Sequence, residues 1–131
     1  MPGERHFIRF FEEIGLSDVP LIGGKNASLG EMYRELTPRG VRVPNGFATT
    51  AKAYRYVLDR ADAWRPLRDA LAGLDPTNIK DLAQRAARAR NIIYEAALPS
   101  DLAEEILGAH ARLVKQYGPE LSVAVRSSAT S

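Results

Sequence analysis

Residues 21–32 read LIGGKNASLGEM. Two adjacent glycines punctuate the chain, and behind them apolar residues recur at three- and four-residue steps as far as Leu36, which predicts an amphipathic helix. Pro38 disfavours the helical conformation at Thr37, and Gly40 permits a left-handed turn, so the helix is expected to end there. A glycine pair that opens a helix is therefore the central feature of the first part of the chain.

Three segments have the composition of β-strands. Residues 7–11 (FIRFF) are rich in aromatic side chains, which favour a short strand or an extended anchoring segment. A buried strand is predicted to begin at Phe47-Ala48, after a turn at residues 44–46 (PNG). Residues 121–126 (LSVAVR) alternate and include β-branched residues, which predicts a third strand ending at Arg126.

Apolar side chains at helical spacing predict four further helices, over about residues 51–62, 65–71, 79–97 and 101–117. Thr49 or Thr50 is the expected N-cap of the first of these helices, and residues 75–78 (DPTN) form a turn and cap before the third. The last helix is expected to be capped by Ser100 or Asp101. The predicted fold class is α+β and mostly helical, with about five helices and a few short strands.

Composition excludes several classes of protein. The chain has 131 residues, of which 45% are apolar and 26% charged, as in ordinary globular domains and unlike disordered chains. It has no cysteine, which excludes disulfides, thiolate zinc sites and a cysteine nucleophile. No apolar run approaches the roughly 20 residues that a membrane helix needs, and no signal peptide is evident, so a cytoplasmic location is expected.

The residues most suited to bind phosphate lie at the start of the glycine-opened helix. The first turn of a helix has unpaired N–H groups and a partial positive charge, Gly23 and Gly24 allow close approach, and Lys25 adds a cation. The pattern is not a P-loop, because Val19 and Asn26 stand where that motif has glycine and serine or threonine. Taken alone, the pattern favours the alternative of a glycine turn followed by an exposed lysine.

A second candidate follows the predicted last strand. Arg126 would lie at the strand end, where a guanidinium can hold phosphate oxygens in two places. Ser127, Ser128 and Thr130 could add hydroxyl contacts. The alternative is an arginine in a surface turn among solvated serines.

Other polar groups suggest no catalytic residue and no metal ligand. His6 and His110 have no partner at metal-ligand spacing. One helix is basic through Lys80, Arg85, Arg88 and Arg90, which leaves a nucleic-acid binder as a hypothesis. The net charge of only +2 and the nearby acidic residues favour a solvated helix face instead, so nucleic acid is not expected as a partner.

Read together, three motifs resemble a known family. Residues 21–32, 40–51 (GVRVPNGFATTA) and 123–130 (VAVRSSAT) are similar, in order, to the opening of the phosphoenolpyruvate synthase (pyruvate, water dikinase) family. Pyruvate phosphate dikinase, rifampicin phosphotransferase and glucan water dikinase have looser versions. The resemblance implies the N-terminal lobe of an ATP-grasp domain over residues 1–131, in which Lys25 and Arg126 contact ATP phosphates, supported by Gly23, Gly24, Ser127 and Ser128.

The resemblance also implies what a full enzyme would add. A second ATP-grasp lobe with magnesium carboxylates, a phosphohistidine domain and a pyruvate-binding barrel are expected outside this sequence, so ATP would be used with magnesium that this chain does not bind. The chain is expected to be a portion of a longer enzyme, with ATP and the remainder of that enzyme as partners, and to be inactive alone. A stand-alone interaction or regulatory module of the same fold is the alternative.

Overall fold

The computed structural model describes residues 7–130, which divide into two compact units. The first unit combines residues 7–54 with residues 100–130, and the second unit is Arg55–Pro99. Helices dominate, and the described residues contain one sheet of two short strands. The predicted α+β, mostly helical class is confirmed.

The first unit contains the sheet and four helices or parts of helices. Strand β1 (Ile8–Phe10) pairs antiparallel with β2 (Phe47–Thr49), with Arg9 opposite Ala48. Its helices are α1 (Val19–Ile22), α2 (Gly24–Leu36), the start of α3 (Ala51–Arg60) and α6 (Ser100–Tyr117). The Thr50 hydroxyl accepts a hydrogen bond from the Ala53 N–H at 3.2 Å, so Thr50 is the N-cap that the sequence left open between two threonines.

Two apolar clusters hold the first unit together. One consists of Ile14, Ile22, Ala27 and Ala48, with Phe11, Val19 and Leu21 packed against it. The other joins the sheet to α6 through Phe10, Ala109 and Leu113, with Ile8, Phe47 and Leu121 at its edge. The first cluster lies within the N-terminal part of the unit, whereas the second joins β1 and β2 to α6, so burial of apolar area in the second cluster brings the N-terminal and C-terminal parts together.

The second unit is a helical hairpin built from α4 (Trp64–Leu71) and α5 (Ile79–Glu95). Leu58, Ala63 and Leu67 form its core, covered by Ala89, Ile92, Ile93 and Ala96. The Asn78 side chain caps α5 by accepting from the Asp81 N–H at 3.1 Å, and Asp75 accepts from Thr77, which confirms the predicted turn and cap. Within Arg55–Pro99 an apolar groove of about 480 Å³ lies between Trp64, Leu71 and Ile93.

The predicted third strand is wrong. Residues 121–126 have no regular secondary structure, and Val125 is 93% exposed. Alternation indicates a strand only where a neighbouring strand supplies hydrogen bonds. In the described chain β1 and β2 pair with each other, and neither extends its sheet to residues 121–126. Arg126 therefore lies in an irregular segment rather than at the end of a strand.

Candidate functional site

The glycine pair opens α2, as its sequence predicts, and it also separates α2 from the short helix α1. Helix α1 ends at Ile22, and the Gly23 N–H donates to the Val19 carbonyl at 2.8 Å. Gly23 has φ 85° and ψ 162°, a conformation essentially restricted to glycine. Helix α2 begins at Gly24, so the two helices are separated by one residue whose conformation only glycine adopts without strain.

The C-terminal segment docks on this break. The Gly24 N–H donates to the Ala129 carbonyl at 3.0 Å, which satisfies one of the N–H groups that the first turn of a helix leaves free. A Cβ atom on Gly23 would lie 2.1 Å from the Ser128 Oγ and 2.8 Å from the Ala129 oxygen. The motif of residues 123–130 therefore contacts the backbone of the glycine motif directly.

Ser128 contributes an unusual group to this contact. Its Oγ is fully buried and has no hydrogen-bond partner among the described residues. Buried hydroxyls are normally paired, because leaving one unsatisfied costs about 1–3 kcal/mol. A hydroxyl can both donate and accept, so the Ser128 Oγ beside Gly23 is a group that a polar ligand could satisfy.

Two cations flank the contact. Lys25 immediately follows Gly24 and is exposed, and Arg126 precedes Ser128 by two positions and is also exposed. Within residues 7–130 neither side chain forms an ion pair or a hydrogen bond, so both remain available to solvent or to an anion. By helix geometry, the N–H groups of Lys25 and Asn26 also have no intrahelical acceptor.

The predicted site residues thus divide into two groups. The structure brings Gly23, Gly24 and Ser128 together, with Gly23 buried and the other two half-buried. Lys25, Arg126 and Ser127 lie on the adjoining exposed surface. Gly23-Gly24 and residues 126–128 were predicted as two separate candidates from their own sequences. In the structure they form one continuous region.

Asn45 forms hydrogen bonds within this unit that the sequence did not predict. Its N–H donates to the Tyr117 hydroxyl at 2.7 Å, and its Nδ2 donates to the Gln116 Oε1 at 2.8 Å. The sequence predicted a Pro-Asn-Gly turn, but residues 44–46 have no regular secondary structure, and locally the Gly46 N–H donates to the Asn45 Oδ1 at 2.9 Å. No local pattern identifies a partner some seventy residues away in the chain.

One basic side chain of α5, Arg85, is used in contacts within the protein. The Arg85 guanidinium pairs with Asp81 at 2.9 Å and donates to the carbonyls of Ala70 and Ala72 at the end of α4. Lys80, Arg88 and Arg90 are exposed on α5. One of the four cations that a nucleic acid would use is therefore already engaged within Arg55–Pro99.

Neither a metal cluster nor a membrane helix is found in the part of the chain that the structure describes. Residues 7–130 contain no group of three or more His, Cys, Asp or Glu side chains placed to hold a metal ion. His110 is exposed on α6, and His6 lies outside the described residues. The described helices also include none that is both long and apolar enough to cross a membrane.

Comparison with known proteins gives a consistent set of relatives. Residues 19–131 match the family model described as the pyruvate phosphate dikinase, AMP/ATP-binding domain. The chain is 44% identical to the phosphoenolpyruvate synthase of Synechocystis sp. over 98% of its length, and 45% identical to that of Helicobacter pylori over 95%. A probable phosphoenolpyruvate synthase of Methanocaldococcus jannaschii is 39% identical over 95% of the chain. The chain spans 16% of the length of the first two relatives and 10% of the third.

Proposed function

The chain belongs to the pyruvate phosphate dikinase AMP/ATP-binding domain family, and from this membership we propose that it is the ATP-phosphate-binding portion of a phosphoenolpyruvate synthase. In the parent enzyme the overall reaction would convert ATP, pyruvate and water into phosphoenolpyruvate, AMP and phosphate. The chain would be the N-terminal lobe of an ATP-grasp domain. Related phosphotransferases of the same family, such as pyruvate phosphate dikinase, are the alternative parents.

The observation that carries the proposal is the docking of residues 128–129 on Gly23 and Gly24. This contact places the segment bearing Arg126 beside the helix start bearing Lys25, although the two motifs lie at opposite ends of the described chain. An anion bound there would meet free helix N–H groups and two exposed cationic side chains. These groups match the charge and the many acceptor oxygens of a nucleotide phosphate chain.

In this proposal each residue has a distinct role. Lys25 is a point charge for a phosphate oxygen, and Arg126 provides a planar fork that holds two oxygens. Gly23 and Gly24 let the ligand approach the backbone, and Ser127 and Ser128 supply hydroxyl donors. No general acid or base is assigned among residues 7–130, since phosphoryl transfer depends chiefly on positioning and charge neutralisation.

Magnesium and the remaining machinery are assigned to other parts of the parent. The described residues hold no set of carboxylates that fits a divalent cation, so we derive no step through a metal here. The relatives are about six times longer than the matched region, which leaves room for a second lobe, a phosphohistidine domain and a pyruvate site. A cytoplasmic location stays a prediction.

The isolated chain is proposed to bind ATP weakly and to leave it intact. Two exposed charge-assisted contacts contribute roughly 2–4 kcal/mol before the cost of ordering the ligand. This corresponds to a dissociation constant of about 1 mM or weaker. One lobe also leaves most of the nucleotide exposed, whereas ligand pockets normally bury most of the ligand surface.

Titration of the full chain with ATP and magnesium, followed by amide chemical shifts, tests the function. Shifts should centre on residues 23–26 and 126–129 and weaken at least severalfold in Lys25→Ala, while Lys80→Ala, which removes an exposed lysine of α5, should leave them unchanged. ATP shifts that avoid both motifs, or that survive in Lys25→Ala and Arg126→Ala alike, would contradict the assignment. Micromolar affinity would show that the chain holds a complete site.

A further inference from the structure

Asn45 connects the segment before β2 to the last turn of α6 by hydrogen bonds. Its N–H donates to the Tyr117 hydroxyl at 2.7 Å, and its Nδ2 donates to the Gln116 Oε1 at 2.8 Å. Its Oδ1 accepts from the Gly46 N–H at 2.9 Å, so every polar group of the side chain has a partner. The two side-chain bonds fix the amide in one orientation, because its donor and its acceptor face different partners, and the bond to Tyr117 is donated by the backbone N–H.

The segment that carries Asn45 is attached to Phe11 by a hydrogen bond and by packing. The Gly46 carbonyl accepts from the Phe11 N–H at 3.0 Å, directly after β1. A Cβ on Gly46 would lie 2.8 Å from the Phe11 ring, so the ring packs closely on the turn. The backbone at Asn45 is therefore fixed relative to the sheet. The hydrogen bonds of Asn45 to Gln116 and Tyr117 then fix the end of α6 relative to the sheet.

The end of α6 is where the Arg126 segment starts. Helix α6 ends at Tyr117, Gly118 follows with φ 99°, and Leu121 packs against the cluster of Phe10, Ala109 and Leu113. Beyond Leu121, residues 122–127 form no hydrogen bond with other residues of the described chain, until Ala129 accepts from Gly24. The segment thus has two attachments, one near Tyr117 and Leu121 and one at the glycine motif.

We propose that Asn45 is a positioning residue for the phosphate-binding region, acting through Gln116 and Tyr117 on the segment that carries Arg126 and Ser128. This inference rests on the proposed function and extends it to the motif of residues 40–51, to which the phosphate site otherwise gives no role. Asn45 is not proposed to touch the ligand.

The physical reason is the weakness of the second attachment. A single backbone hydrogen bond contributes little net stability, because the same groups bond to water when it opens. Its persistence depends on how short and how well anchored the intervening segment is, because a longer free segment costs more entropy to close. If the last turn of α6 frays, the free segment lengthens and Ser128 and Ala129 leave Gly23 and Gly24 more often.

The test compares amide exchange and ATP binding in the full chain. In Asn45→Ala and in Tyr117→Phe we expect the Gly24 amide to exchange about three to ten times faster, as the loss of one or two modest hydrogen bonds allows. The Thr50 amide, which donates to the Phe7 carbonyl at 2.9 Å in the same unit, serves as the reference for global opening and should be unchanged. ATP-induced shifts at residues 23–26 should need a similarly higher ATP concentration.

Two matched variants sharpen the comparison. Tyr94→Phe removes the hydroxyl of a tyrosine that is 90% exposed on α5, and it should change neither the Gly24 amide nor the ATP titration. Asn45→Asp combined with Gln116→Glu places two acceptor-only carboxylates against each other, and it should behave like Asn45→Ala. Asn45→Asp combined with Gln116→Lys pairs an acceptor with a donor at the same contact and should recover slow Gly24 exchange.

The outcomes distinguish the positioning role of Asn45 from the proposed ATP binding. Unchanged Gly24 exchange in Asn45→Ala, or equal acceleration of the Gly24 and Thr50 amides, would overturn the positioning role. Absence of ATP shifts in the unmodified chain would instead overturn the proposed function, while the exchange comparison would still decide whether Asn45 holds the segment. Rescue by Gln116→Lys together with restored ATP shifts would support both.

Discussion

The amide nitrogen of Gly24 lies 3.0 Å from the carbonyl oxygen of Ala129, and this hydrogen bond closes the first unit of the protein on itself. It uses an N–H group that the start of α2 would otherwise leave unpaired. The neighbouring Gly23 has no side chain to obstruct Ser128, so backbone and hydroxyl approach closely. The two motifs that resemble a phosphate site therefore depend on each other for their conformation.

Replacement of Gly23 by alanine should disrupt this contact. Gly23→Ala places a methyl group 2.1 Å from the Ser128 Oγ and forces a conformation with φ 85° and ψ 162°, so we expect a loss of about 2–4 kcal/mol of unfolding free energy. Gly40→Ala is the matched control, since Gly40 also has φ 85° but nothing lies within 4 Å of its added Cβ. It should cost about 1–2 kcal/mol.

Urea unfolding of both variants provides the measurement. Equal losses for Gly23→Ala and Gly40→Ala would mean that only the backbone conformation matters and that the Ser128 contact is not formed in solution. Faster exchange of the Gly24 amide in Gly23→Ala alone would locate the damage at the docked segment.

Two helical glycines should respond in opposite directions. In α2, a Cβ on Gly30 would lie 2.3 Å from the Ile14 Cγ1 and 2.6 Å from the Ile14 oxygen, so Gly30→Ala should lose about 1–3 kcal/mol through overpacking. In α6, Gly108 is exposed with open space around its Cβ position, so Gly108→Ala should gain about 0.5–1 kcal/mol from helix propensity. Thermal unfolding separates the two, and a stabilising Gly30→Ala would refute the close packing of Ile14 on α2.

Arg85 should matter more to the stability of the second unit than its basic neighbour Arg88. Arg85 pairs with Asp81 and donates to carbonyls at the C-terminal end of α4, where a cation is also favoured by the helix dipole. We expect Arg85→Met to cost about 1–2 kcal/mol and Arg88→Met less than about 0.5 kcal/mol. Denaturant unfolding measures both, and similar small effects would show that the carbonyl contacts contribute nothing.

The acidity of Asp75 should report on the turn before α5. The Thr77 hydroxyl and then the Thr77 N–H, both hydrogen-bonded to the carboxylate, hold the pKa of Asp75 below its ordinary value. Because the folded pKa is lowered, this stabilisation is present above the unfolded pKa and is lost as pH falls through the folded pKa. Thr77→Ala should raise the Asp75 pKa in a carbon-13 titration, whereas Thr77→Ser should not; an unchanged value in both would exclude the hydroxyl as the main cause.

Local patterns predicted those elements of the fold whose causes are local. The helices over residues 24–36, 64–71, 79–95 and 100–117 follow from apolar spacing and from the caps, glycines and prolines at their ends. Strand β1 follows from its aromatic composition, and β2 follows from the Pro-Asn-Gly sequence that precedes it. The strand predicted over residues 121–126 fails because a strand requires a partner, and alternation says nothing about whether one is present. The single-turn α1 was not predicted, since four residues are too few to show helical periodicity.

The candidate site was partly predictable for the same reason. The phosphate-binding potential of Lys25 and Arg126 follows from their residue types and immediate neighbours. The docking of Ser128 on Gly23, and the bonds from Asn45 to Gln116 and Tyr117, connect distant parts of the chain. Such contacts depend on how the two apolar clusters fold the chain back, which spacing along the sequence does not encode.

The bond between Gly24 and Ala129 also has a consequence during synthesis of the protein. A ribosome adds about 5–20 residues per second, so the glycine motif emerges roughly 5–20 s before the segment that covers it. The cluster around Ile14 and Ile22 draws its buried residues from positions 14–48, so it can form while the chain is still growing. A nascent chain could therefore form this N-terminal core before the contact between Gly24 and Ala129, which requires a long-range closure of the kind that slows folding.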